Sequence, residues 1–228
     1  MVQYRTWAAL IAATLLAGCT SFSTLHTARS VPPDERHVTV ASGVTGTLDP
    51  DAESVRAVPT VAEAELRQGL SESLDLGLRA YLVGLMVDVN WMYLDRPRFA
   101  ASINPSVSGF ASIDEADTSG SGGTGTSTGT VWGSLWLNML FDIGGGRTVT
   151  ATTGPKAGFL FAADNRGVAD DNPATTGAAA TALGGVFALR FRLSERFALA
   201  PEASLYWISE QRPIFSSSVA LTFRNPAF

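Results

Sequence analysis

Few side chains in this 228-residue chain offer covalent or acid–base chemistry. There is one cysteine, Cys19, and there are two histidines, His26 and His37. A hydrolase built on a serine or cysteine needs a base and an orienting group in mutual reach. Both histidines fall in the first 37 residues, His26 in a polar stretch and His37 where the first patterned segment begins. No Asp or Glu pair is singled out by spacing as an acid–base couple. Asp49, Asp51 and Glu53, and Asp170-Asp171-Asn172, offer oxygen ligands but lack the EF-hand spacing, so they read as solvated loop charge. Gly144-Gly145-Gly146-Arg147-Thr148 lacks the Gly-Lys-Ser/Thr ending of a phosphate loop and reads as a turn. The expectation is no catalytic residue, no metal and no cofactor.

What remains is charge. Asp and Glu number 21 and Lys and Arg 16, giving a net charge of −5, and Lys156 is the single lysine. Nucleic-acid binding needs clustered cations and is not expected. With 46% apolar and 16% charged residues the chain is not of disordered composition, and its length suits one sizeable domain.

The elements that must position these charges alternate with period two. Glu63, Glu65 and Arg67 alternate with Ala62, Ala64 and Leu66; Asp75, Gly77 and Arg79 with Leu74, Leu76 and Leu78; Met86, Asp88 and Asn90 with Leu85, Val87 and Val89. The same holds around Lys156, Arg190 and Arg192, Glu202 and Tyr206, and Arg224. Successive strand residues point to opposite faces, so each segment has one greasy and one polar face. Val131–Asp142 fits less well: its parity puts Trp136 among Ser134 and Asn138, and a bulge is expected there. Ten candidate strands start near His37, with eight the alternative count. Connections near 46–59, 114–129 and 163–180 are long, 82–84 in the same set is very short and 209–213 moderate, whereas the interleaved 70–73, 94–98, 143–147 and 194–196 are all short. Aromatic residues cluster towards both strand ends, with Tyr93, Phe99, Phe141, Phe191, Phe197 and Phe223 near the short turns and Phe159, Phe161, Trp207 and Phe215 near the long loops. These features predict an all-β, closed antiparallel transmembrane barrel over residues 37–228, with short turns in the periplasm and long loops outside. A soluble sandwich is the competing architecture.

The polar faces then line a narrow lumen. The inward charges are Glu63, Glu65, Asp75, Asp88 and Glu202 against Arg67, Arg79, Lys156, Arg190, Arg192 and Arg224. A near-balanced set predicts cross-strand ion pairs that fill the barrel.

Arg5, the apolar run Trp7–Ala17 and the small residues before Cys19 form a secretory signal over residues 1–18, too short for a membrane helix. Leu16-Ala17-Gly18-Cys19 resembles the lipobox of bacterial lipoproteins, which implies cleavage before Cys19 and acylation of its thiol. Residues 19–36, with Pro32-Pro33, read as a lipidated flexible tether without a core of its own.

Pro59–Ala111 and LSERFALAPEASLYW resemble small bacterial outer-membrane barrels with an acylated N-terminus, through Gly69-Leu70-Ser71-Glu72, Asp75-Leu76-Gly77 and Asp88-Val89. The resemblance implies an outer-membrane barrel lipoprotein with its anchor on the periplasmic side. Its partners are then membrane lipids and the barrel-insertion and lipoprotein-processing machinery. A structural or surface-interaction role leads; a narrow solute pore and a lipid-modifying enzyme are the alternatives.

Overall fold

The computed structural model describes residues 23–48, 55–81, 84–114, 128–144, 148–165, 176–209 and 213–226. Among them, ten strands run in order: β1 (Glu35–Leu48), β2 (Val55–Ser71), β3 (Leu74–Tyr81), β4 (Gly84–Arg96), β5 (Phe99–Asp114), β6 (Thr128–Ile143), β7 (Val149–Asn165), β8 (Thr176–Arg192), β9 (Phe197–Ile208) and β10 (Ile214–Pro226). Each pairs antiparallel with its neighbours in sequence. β1 closes the ring on β10, from Glu35 opposite Pro226 to Thr47 opposite Ile214. Closure leaves no sheet edge unpaired, which is the condition for a sheet to stand in hydrocarbon.

Burial decides between barrel and sandwich. Leu78 is 47% exposed while its neighbour Arg79 is 1% exposed. The inversion is general: Leu66, Trp91, Leu135, Leu183 and Phe187 lie on the outer surface, and Asp75, Asp88, Asn90, Asn104 and Asp142 are fully buried. A water-exposed apolar belt of this extent is foreign to soluble monomers. A single closed wall with polar groups inside rules out the sandwich.

The prolines inside strands show how the wall tolerates a missing donor. Pro105 lacks an N–H, and the β4–β5 ladder skips between Asp88↔Ser106 and Trp91↔Ile103. The Asn104 side chain donates instead to the Val89 carbonyl at 3.0 Å, so that an acceptor does not stand orphaned in the wall. Pro155 and Pro201 fall in similar gaps of the β6–β7 and β8–β9 ladders.

Three details differ from the sequence reading. Strands β2 and β5 to β8 are 16 or 17 residues long, so they consume residues assigned to the long loops. The expected bulge in Val131–Asp142 is absent: β5 and β6 hold one register from Phe99↔Ile143 to Asp114↔Thr128. Trp136 therefore faces the lumen, where its Nε1 donates to Ser134 Oγ at 2.9 Å and its ring meets Tyr206 edge-on at 5.6 Å. Register shifts occur instead at Ala41/Gly43, Gly69/Ser71 and Met92/Leu94.

The lumen is layered. At the end carrying the short turns, here the turn end, polar and charged residues dominate. Towards the loop end, Tyr81, Met86, Trp136, Tyr206, Ile208 and Ile214 form a buried apolar cluster. Aromatic pairs mark the outer wall near both ends: Phe99 with Phe141 and Phe197 with Phe223 at the turn end, Phe159 with Phe161 towards the loops.

Candidate functional site: a lumen filled by the N-terminal segment

Residues 23–33 do not run free outside the barrel. The sequence reading makes them part of a flexible tether; in the structure they occupy the lumen, and Ser23, Thr24, Leu25, His26, Ala28 and Val31 are buried. The segment starts at mid-height beside Glu63 and descends to the turn end, where Pro33 bridges Gly69 just before β1 begins at Glu35. An extended segment has backbone donors and acceptors that a barrel interior must satisfy. The wall supplies partners for many of them.

Two wall carboxylates each grip a pair of consecutive amides. Glu202 accepts from Thr24 N at 2.6 Å and Leu25 N at 3.2 Å. Asp142 accepts from Ala28 N and Arg29 N, both at 3.1 Å. Asp75 takes the Val31 amide at 2.8 Å. The carbonyls are met by a cation: Arg79 donates to Ser23 O and Thr24 O, each at 2.7 Å. Side chains follow, with Ser23 Oγ on Glu63 at 2.6 Å and Lys156 Nζ on Thr24 Oγ1 at 3.3 Å. At the rim Arg29 pairs with Asp95 and donates to Arg96 O at 2.6 Å. Hydrogen bonds to charged groups are the stronger kind, and here they are aimed at main chain, so they read position rather than side-chain identity.

Behind this contact the wall binds itself together. Arg67 joins Glu65 at 2.7 Å with Asp75 and Asp88. Asn104 links Asp88 to Asn138 through hydrogen bonds of 2.7 Å each. Arg67 Nη2 also meets His26 Nδ1 at 3.3 Å. An arginine can only donate, so Nδ1 is the unprotonated nitrogen of that ring. Two glycines are required by close approach. A Cβ on Gly69 would stand 1.9 Å from Pro32 O, and one on Gly77 would stand 2.5 Å from the Arg67 guanidinium. Gly69 lets the segment pass; Gly77 lets Arg67 lie across the wall.

Of the sequence-expected lumen charges, Glu63, Glu65, Arg67, Asp75, Arg79, Asp88, Lys156 and Glu202 are buried around the segment. Arg190 and Arg224 stand apart at the turn end, on the wall of a cavity. Arg192 is exposed at the rim and does not join the lumen. Sequence reasoning missed Asp142, because it placed its strand out of register, and it missed the segment itself. The signal available was a polar stretch that nevertheless carries Leu25, Ala28 and Val31. His26, Glu65 and Asp88 bring ligand atoms within 4.8 Å of one another, but the Arg67 guanidinium already occupies that position as the cation. Cys19 and the signal sequence lie outside the described residues, as do the loop acids and most of the Thr118–Thr130 tract.

No family model matches the chain, and no curated protein matches it. Solved structures of similar shape include the attachment invasion locus protein Ail of Yersinia pestis (9% identity, 85% of this chain and 99% of that one, TM-score 0.44). They also include the outer membrane protease OmpT of Escherichia coli (8%, 92% and 100%, TM-score 0.48) and the translocator domain of the autotransporter NalP of Neisseria meningitidis (10%, 97% and 97%, TM-score 0.42). At such values these likenesses say nothing of what the lumen does, which rests on its geometry.

Proposed function

We propose that this chain is a bacterial outer-membrane β-barrel closed by its own N-terminal segment, with a structural or surface-interaction role and no catalysis. The observation that carries this reading is the docking of residues 23–33 on Glu202, Asp142, Asp75 and Arg79. The outer apolar belt supports the membrane setting, and the layout of short turns and long loops supports a periplasmic turn end. Beside the upper part of the segment, a cavity between Ser23, Arg79, Trp136 and Lys156 holds about 10 Å³, barely room for one water. With the apolar cluster above it, the described residues pack closely at that level. The test is conductance of the purified protein in planar bilayers. The reading expects no stepwise current, and steady open-channel steps from the intact chain would reject it.

The lipobox-like Leu16–Cys19 supports acylation at Cys19, and chain length constrains how that anchor is used. Three residues separate Cys19 from Ser23, and the four steps between them span at most about 14 Å. Ser23 is docked at Glu63, and the eight residues from there to Ser71 cover roughly 20 Å along the barrel axis at about 40° of tilt. An acylated Cys19 therefore reaches the periplasmic leaflet only when the upper part of the segment leaves its site. Docked and anchored chains are two states of one protein. Mass spectrometry of the N-terminal peptide, combined with amide exchange of residues 23–33 on the same preparation, tests this. A uniformly acylated sample with a fully protected segment would refute the exclusion.

A further inference from the structure

We propose that the barrel binds a small oxyanion, phosphate or a small phosphomonoester, at its turn end between Arg190, Arg224 and the docked segment. The proposal rests on the docked segment, because residues Leu25–Pro32 form one side of the site. A cavity of about 220 Å³ lies between them and the wall. Across β2, β1 and β10 the register sets Arg67, His37 and Arg224 side by side. Arg190 reaches over β9 and donates through Nη2 to Thr222 Oγ1 at 3.1 Å.

The nearby acids are already engaged. Asp142 holds the Ala28 and Arg29 amides and the Thr152 hydroxyl. Glu65 holds Arg67, and Glu35 lies 3.4 Å from His37. Among the described residues, no carboxylate oxygen comes within 4.0 Å of Arg190 or Arg224. The Nε atoms of both arginines are buried and have no hydrogen-bond partner.

Two guanidinium groups facing one cavity repel each other, and their buried Nε donors stand without acceptors, which is costly unless an anion completes them. Planar guanidinium forks match the oxygens of a phosphate. The cavity exceeds the roughly 150 Å³ that accommodates benzene, so a phosphate bearing a small organic group fits as well as the free ion. Since the segment closes one side, a bound anion would hold it in place.

Two sources share this chemistry, a phosphate from the periplasm and a phospholipid headgroup at the barrel base. Isothermal titration with inorganic phosphate, on protein in nanodiscs of phosphatidylcholine alone, is expected to show one saturable site. Arg190→Gln and Arg224→Gln should each weaken it by about tenfold or more, the loss of one charged hydrogen-bonding partner, while Arg98→Gln in an exposed turn leaves it unchanged. Nanodiscs containing phosphatidylglycerol separate the sources: competition by that lipid assigns the site to a headgroup, and undiminished phosphate binding assigns it to the free ion. Absence of saturable binding in both lipids, or binding that survives both arginine substitutions, overturns the proposal. Amide exchange of residues 23–33 in the same samples shows independently whether the segment is docked, so failure of the anion site is not confused with failure of the plug.

Discussion

Replacing Glu202 by Ala is the sharpest perturbation of the docked segment. The change removes both acceptors that hold the Thr24 and Leu25 amides, at 2.6 and 3.2 Å, and leaves the β9 backbone in place. Hydrogen bonds to a charged group contribute about 1.5–3 kcal/mol each, so two at the low end give about 3 kcal/mol. At about 1.4 kcal/mol per decade, docking of the upper segment weakens by roughly 100-fold. The loss should be local, because Asp142 and Asp75 still hold residues 28–31. Hydrogen–deuterium exchange read by mass spectrometry on the folded barrel gives the answer directly. Amides 24 and 25 should exchange about 100 times faster than in the parent, and those of the central strands should not change. Unaltered protection at Thr24 and Leu25 would refute the reasoning, since among the described residues Glu202 is the wall acceptor of both amides.

Further outcomes follow from other contacts. Gly69→Val sets side-chain atoms against Pro32 O, where even a Cβ stands at 1.9 Å; the amides of Arg29, Ser30 and Val31 should lose protection while the barrel still migrates faster unboiled than boiled. Arg67→Leu leaves Glu65, Asp75 and Asp88 without their shared cation, and urea unfolding in micelles should show a loss of about 3–5 kcal/mol. Leu78→Arg puts a charge on the outer belt, and unfolding from bilayers should register about 2–4 kcal/mol of destabilisation, whereas a near-neutral result would argue that this face does not meet lipid. Removing residues 23–33 should leave conductance low until Trp136→Ala also opens the apolar cluster, which planar-bilayer recording of the two variants would establish.

The wall was legible in the sequence because a barrel in lipid imposes strict alternation. Asp75 and Arg79 inside, with Leu76 and Leu78 outside, follow from parity alone. Trp136 shows the limit of that reading. An indole is unusual on a polar face, yet parity holds, and the ring fills the lumen against Tyr206 instead of forcing a bulge. The pairing of inward charges was only half visible. Arg67 and Arg79 do find acids across neighbouring strands, but Glu202 and Asp142 bind main chain, and no composition rule distinguishes a carboxylate destined for an amide from one destined for an arginine. The segment 23–33 has no periodicity because its backbone is satisfied by side chains rather than by a ladder. A polar stretch with two prolines therefore looks the same whether it floats outside or is gripped within.

The central claim, that this stretch lies inside the barrel, can be tested by cross-linking. Ala28 packs in the lumen in one cluster with Ala100, Leu140 and Val186, while Leu66 faces outward. With Cys19 replaced by Ala, cysteines at positions 28 and 100 should join under a short bifunctional thiol reagent in intact outer membranes, and a 28–66 pair should not. Failure of the first pair, or equal joining of both, would contradict the account.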